Sequence, residues 1–213
     1  PAVIYETNVK LVTNLIASLE RTASKAHIIM SSSSQEEKDN LYGKSKKEGR
    51  ELLAQWANKT NATFTGMVIP NVFGPFGHPY YNSVVATFSH QIANGETPQI
   101  QVDGDLKLIY VGELVAEILG KIRARHNEPI YLVPHTSEAK VSELLVLLQD
   151  YKASYQDKGA IPAIKNTFEL NLFNTFRCYM DIANHFPVKF VQHNDPRGSF
   201  VEVIRLGVGG QVS

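Results

Sequence analysis

Apolar side chains at Val9, Leu11, Val12, Leu15, Ile16 and Leu19 recur at the spacing of one helix face, which predicts a helix over residues 9–19 that ends near residues 22–25. Residues 27–30 form a short apolar run bounded by serines at 31–34, a pattern suited to a buried parallel strand that feeds a loop. Residues 43–58 read as a second helix with Leu52, Leu53 and Trp56 inward, and Phe64–Ile69 as the next strand, closed by Pro70. Helix, strand, helix, strand is the order of a doubly wound α/β sheet, whose chemistry sits at the carboxyl ends of its strands.

Beyond Pro70, a Gly/Pro/Tyr-rich loop over residues 71–82 precedes a helix at 83–94, a strand at 106–111, a helix at 112–124, a strand at 130–133 and a helix at 137–151. Long loops leaving a sheet's carboxyl edge tend to bind substrate, so this stretch reads as a substrate-side lobe. Residues 155–174 are mixed and weakly periodic, as in a connection with short helical pieces. Strand-like composition returns at 188–191, at 199–205 and from Gln211 onward, interrupted by the turn-forming Asn194-Asp195-Pro196-Arg197-Gly198. The expected organisation is an α/β domain over residues 1–154, a linker over 155–180 and the start of a small β domain over 181–213. Both chain ends read as cut.

Composition narrows the class of function. With 213 residues and 43% hydrophobic content, the chain buries a sizeable core. Lys and Arg total 21 against 21 Asp and Glu, so no net field recruits nucleic acid. The single Cys178 excludes an internal disulfide and agrees with a reducing, cytoplasmic setting; it reads as a satellite core residue. No apolar run approaches the ~20 residues that span a bilayer. The histidines at 27, 78, 90, 126, 135, 185 and 193 form no His-x-His or His-x-x-x-His pair, so no metal site is expected. Glu36, Glu37 and Asp39 read as a solvated loop rather than as acid/base groups.

Tyr42 and Lys46 are one helical turn apart, so both side chains leave the same face. A tyrosine donates a proton near neutral pH only when its phenol is more acidic than its reference pKa of about 10. An ammonium one turn away favours the phenolate and has that effect. The lysine can also hydrogen-bond a ribose hydroxyl of a nicotinamide nucleotide. A serine hydroxyl from the cluster at the strand end can bind the same carbonyl oxygen that the tyrosine protonates. The spacing alone is weak evidence, and the competing reading is a solvated serine loop with Tyr42 packed at a helix start.

Four motifs together resemble the extended short-chain dehydrogenase/reductases, the NAD-dependent epimerase/dehydratase family. They are the opening helix Asn8-Val9 through Asn14-Leu15, the strand ending in Ser32-Ser33, the block Tyr42-Gly43-Lys44-Ser45-Lys46, and Pro70-Asn71-Val72-Phe73-Gly74-Pro75. The resemblance implies a Rossmann-like parallel sheet in which Tyr42 is the general acid, Lys46 tunes it and holds the nicotinamide ribose, and Ser33, or else Ser34, binds the reacting oxygen. It places Pro70, Asn71 and Val72 along the cofactor, and it implies a homodimer formed through the helices at 9–19 and 43–58.

A narrower resemblance rests on Tyr81-Asn82-Ser83-Val84, Tyr110-Val111, Val115-Ala116-Glu117-Ile118 and Asp195-Pro196-Arg197-Gly198-Ser199-Phe200-Val201-Glu202. These stretches resemble the bifunctional capsular polysaccharide enzymes, which fuse a reductase domain to a cupin. That resemblance implies NADPH-dependent reduction of the 4-keto group of a UDP-linked 2-acetamido-2,6-dideoxy hexulose, on the route to UDP-N-acetyl-L-fucosamine. Ser33, Ser34, Asn71 and Asn82 are then the substrate contacts, with NAD as the other possible cofactor.

The family's first βαβ unit, with its Gly-rich phosphate turn, has no counterpart before Asn8, and the cupin's metal-binding histidines are expected beyond Ser213. Gly207-Val208-Gly209-Gly210 reads as a hairpin turn, because no helix follows it. Val68 and Gly112 stand where the family carries an arginine and an aspartate. The rival functions are a nucleotide-sugar 4-epimerase or dehydratase that retains NAD, and a cofactor-free binding or assembly protein.

Overall fold

A computed structural model describes residues 2–188 and 190–206. The elements run α1 (Ala2–Arg21), β1 (Ile28–Ser33), a 3-10 turn (Ser34–Glu37), α2 (Leu41–Thr60), β2 (Phe64–Ile69), β3 (Asn71–Phe73), α3 (Val84–Ala93), β4 (Asp105–Tyr110), α4 (Val111–Ala124) and β5 (Glu128–Leu132). They continue through β6 (Ser137–Lys140), α5 (Val141–Tyr151), a π turn (Lys152–Gln156), β7 (Ala160–Ile161), α6 (Thr167–Arg177), α7 (Ile182–His185), β8 (Gln192–Asp195), β9 (Gly198–Val201) and β10 (Arg205–Leu206). The turn expected at 207–210 and the strand expected from Gln211 lie outside the described residues.

The chain divides into two compact units, the first formed by Pro1–Val72 with Val111–Thr136. Its sheet has the order β1-β2-β5, with both pairings parallel, and α2 makes the crossover between β1 and β2. This is the Rossmann-like α/β arrangement. Leu53, Trp56, Ala57 and Phe64 form the core beneath α2, with Val12, Ile16 and Leu19 of α1 packed against them. Helix α2 starts where Asn40 Oδ1 accepts the Gly43 N–H at 2.7 Å, and stops at Asn61, left-handed at φ 51°. Both ends are longer than the apolar pattern predicts, because capping rather than burial sets them. The strand read over 27–30 likewise runs on into the serines as β1.

The second unit comprises Phe73–Tyr110 and Ser137–Ser213. Phe73, Phe88, Leu108, Leu144, Leu148, Tyr151, Leu172 and Phe176 are among its buried core residues. The helix expected over 137–151 is shorter: Ser137–Lys140 is a strand antiparallel to β4, with Ala139 buried opposite Leu106. Helix α5 then begins where Glu143 accepts the Lys140 N–H at 2.8 Å. Within the stretch read as a connection, α6 is an eleven-residue helix with Leu172, Phe173 and Phe176 buried. The strand expected at 188–191 starts instead at Gln192, because the hairpin is set by its turn: Asp195 pairs with Gly198 and its Oδ1 accepts the Arg197 N–H at 2.8 Å.

Candidate active site

In the parallel register of β1 and β2, Ser33 lies beside Ile69, so the serine turn and the Pro70-Asn71 segment leave the sheet at the same carboxyl edge. Ser33 is extended (φ −142°, ψ 146°) and caps the 3-10 turn, its Oγ accepting the Gln35 N–H at 3.2 Å. That bond uses a lone pair and leaves the Ser33 O–H able to donate to a substrate oxygen. Ser33 is half-buried and Ser34 exposed. Asn71 and Val72 are exposed and Pro70 is half-buried. Asn82 belongs to the second unit, where it is exposed and left-handed at φ 53°, directly before the Ser83 cap of α3.

Helix α2 carries the other half of the site in its first turns. The Lys46 Nζ lies 5.7 Å from the centroid of the Tyr42 ring and donates to the Ser31 carbonyl at 3.3 Å. The ammonium therefore lies beside both the tyrosine ring and the serine stretch of β1. Buried Ser45 steadies this turn: its Oγ donates to the Tyr42 carbonyl at 2.8 Å and accepts from Asn8 Nδ2 of α1 at 2.9 Å. The structure thus brings Ser33, Tyr42 and Lys46 to one corner of the first unit.

One group here was misread from the sequence. Asp39 is the solvated carboxylate expected, 92% exposed in a 2.5 Å pair with Lys44, which holds its carboxyl below the ordinary value through a hydrogen bond and its charge. Glu36 is not. Its carboxylate is buried against Arg50, with Nε to Oε1 at 3.0 Å and Nη2 to Oε2 at 2.8 Å, and it also accepts from the Ser32 hydroxyl. Burial pushes the Glu36 carboxyl up, but the hydrogen bonds from Arg50 and Ser32 and the positive charge nearby outweigh it, and the net shift is downward. The available signal was Arg50 itself, which shares its helix stripe with Leu53 and Ala57: a charge on an apolar face needs a buried partner.

Among the described residues no group of three or more His, Cys, Asp or Glu side chains could hold a metal ion. No described helix is long and apolar enough to cross a membrane. Cys178 is a half-buried free thiol.

The profile of the NAD dependent epimerase/dehydratase family matches residues 1–131. The chain is 28% identical over 188 residues to the UDP-2-acetamido-2,6-beta-L-arabino-hexul-4-ose reductase of Pseudomonas aeruginosa, covering 87% of this chain and 50% of the relative. Among solved structures it is similar to the capsular polysaccharide assembling protein CapF from Staphylococcus aureus, with a TM-score of 0.83 and 33% identity, covering 94% of this chain and 56% of that one. RMD from Pseudomonas aeruginosa, solved with NADPH, shares the fold at a TM-score of 0.62 and 20% identity, covering 68% of this chain and 57% of that one. The chain spans about half the length of the first two relatives.

Proposed function

Because the chain belongs to the NAD dependent epimerase/dehydratase family, we propose that it carries the proton-transfer half of an NAD(P)-dependent oxidoreductase acting on a nucleotide-linked keto sugar. The observation that carries this reading is the Lys46 ammonium, held by the Ser31 carbonyl beside the Tyr42 ring. An ammonium has three N–H donors and Ser31 takes one, so the residues present suit a nicotinamide ribose at Tyr42 and Lys46. Pro70, Asn71 and Val72 lie along the same cofactor in this reading.

A nicotinamide held at Tyr42 and Lys46 would supply the hydride for the carbonyl carbon. Tyr42 gives its phenolic proton to the carbonyl oxygen, which completes the alcohol, and water returns a proton to the phenolate. Ser33 donates its O–H to the same oxygen and holds the carbonyl for attack; Ser34 is the alternative. Lys46 compensates the charge left on Tyr42.

The finer reading is NADPH-dependent reduction of the 4-keto group of a UDP-linked 2-acetamido-2,6-dideoxy hexulose in polysaccharide biosynthesis, in the cytoplasm and in a homodimer. The Pseudomonas relative's name supports that substrate class. Residues 181–213 are the start of a cupin-type β domain in the same reading. The test is incubation of the protein with NADPH and a UDP-linked 4-keto sugar, following NADPH absorbance and identifying the sugar product by NMR. Stoichiometric NADPH loss with an alcohol product supports the reductase. Interconversion of 4-epimers without net NADPH loss replaces it with an epimerase, and sugar-nucleotide binding without turnover replaces it with a binding protein.

A further inference from the structure

We propose that Glu36 and Arg50 are a positioning pair that locks the serine turn against helix α2 and so fixes Ser33 relative to Tyr42 and Lys46; this rests on the functional reading of that corner given above.

The pair ties four elements together. Glu36 lies within the 3-10 turn that begins beside Ser33, and its carboxylate also accepts from Ser32 on β1. Arg50 stands one turn beyond Lys46 on the same stripe of α2, and its Nη1 donates to the Pro129 carbonyl of β5 at 3.3 Å. Strand β2 makes room for it: a Cβ at Gly66 would stand 2.7 Å from both Cγ and Cδ of Arg50 and 2.4 Å from the Pro129 oxygen. The guanidinium fork therefore has its direction set from three sides. Both side chains are nearly closed to solvent, at 6% for Arg50 and 7% for Glu36.

Stability alone does not account for charges in this place. Removing two ions from water is costly, and a well-packed apolar pair of similar volume is commonly as stable or more so. What an apolar pair lacks is direction. A bidentate guanidinium–carboxylate contact fixes distance and angle together, and here it connects the turn bearing one reacting group to the helix bearing the other two.

The test compares the native protein with Glu36→Gln and with the double variant Glu36→Leu/Arg50→Met, which restores apolar packing. Two readouts are taken: steady-state kinetics with NADPH and a UDP-linked 4-keto sugar, and amide hydrogen exchange. The informative amides are Gln35, Lys38 and Gly43, which donate to Ser33 Oγ, the Gln35 carbonyl and Asn40 Oδ1. The double variant is expected to keep native exchange in β2, while these three amides exchange about tenfold faster. Its kcat is expected to fall about a hundredfold, with the KM for NADPH unchanged.

Unchanged exchange in the turn overturns the proposal, as does accelerated exchange with native kcat, and as does a loss of activity that only follows the folded fraction. If the native protein reduces no such sugar, the functional reading fails instead. The exchange comparison then decides the latch by itself: faster exchange in the turn supports it, and native exchange overturns it.

Discussion

A Cβ added at Gly43 would stand 1.9 Å from the carbonyl oxygen of Gln35. The backbone of the serine turn lies directly on the first turn of α2, beside Tyr42, and only a residue without a side chain permits that approach. Gly43→Ala must push turn and helix apart, with an expected loss of about 1–3 kcal/mol and a larger fall in turnover than in cofactor affinity. Gly120 is the control: it lies within α4, exposed, with nothing within 4 Å of an added Cβ. Gly120→Ala should gain about 0.5–1 kcal/mol from the lower entropy of the unfolded chain and better helix propensity. Denaturant unfolding of both variants is the check, and equal effects would refute the close-approach argument.

Tyr42→Phe removes one oxygen and leaves the ring beside Lys46. If the phenol is the proton donor, kcat should fall by about 10²–10⁴ while NADPH affinity stays near native. Steady-state kinetics and a binding titration on the same preparation separate the two quantities. Retained turnover would assign the proton to another group and remove Tyr42 from the mechanism.

What could be read from the sequence was what is locally encoded. Phe64–Ile69 is a strand with the bounds expected of it, because Pro70 and the apolar run bracket it. The helix that carries Tyr42 and Lys46 and the strand that leads into the serines were also legible, since helix spacing and a strand end are short-range features. Ser137–Lys140 was not: its residues suit a helix, and only pairing with Leu106 and Leu108, some thirty residues earlier in the chain, makes them a strand. Glu36 failed for the same reason. It sits among Glu37, Lys38 and Asp39, and what distinguishes it is an arginine on the next helix. Non-local pairing, whether of backbone or of charge, is where pattern reading ended.

The same pair predicts an acid response. The Glu36 carboxyl is held below its ordinary value of 4.5 in the folded state, so its stabilising contribution is complete above that value and is lost as pH falls through the lowered one. Glu36→Gln leaves the Arg50 charge buried without a counter-ion and should cost about 3–5 kcal/mol at neutral pH. Its stability should then vary less than the native protein's across the acid window. Asp39→Asn, by contrast, alters an exposed and screened pair and should leave the curve near native. Unfolding free energies measured through the acid range for the three proteins test this, and parallel native and Glu36→Gln curves would contradict it.

Helix α1 presents two apolar stripes. Val12, Ile16 and Leu19 face α2, whereas Ile4, Leu11 and Leu15 lie on the adjoining stripe at 52%, 63% and 42% exposure. Positions 4, 11 and 15 fall on one line along a helix, the geometry of a helix–helix seam rather than of scattered surface residues. In the proposed homodimer this stripe packs against its copy, so Leu11→Glu/Leu15→Glu should place like charges at a two-fold interface and shift the protein to monomer. Neither residue belongs to the α2-facing core, and the fold of the first unit should survive with native helix content. Sedimentation velocity at matched concentrations, with circular dichroism alongside, decides the matter. A variant that sediments as the native protein does would mean that another surface forms the oligomer, or that the stripe is covered by something other than a second copy.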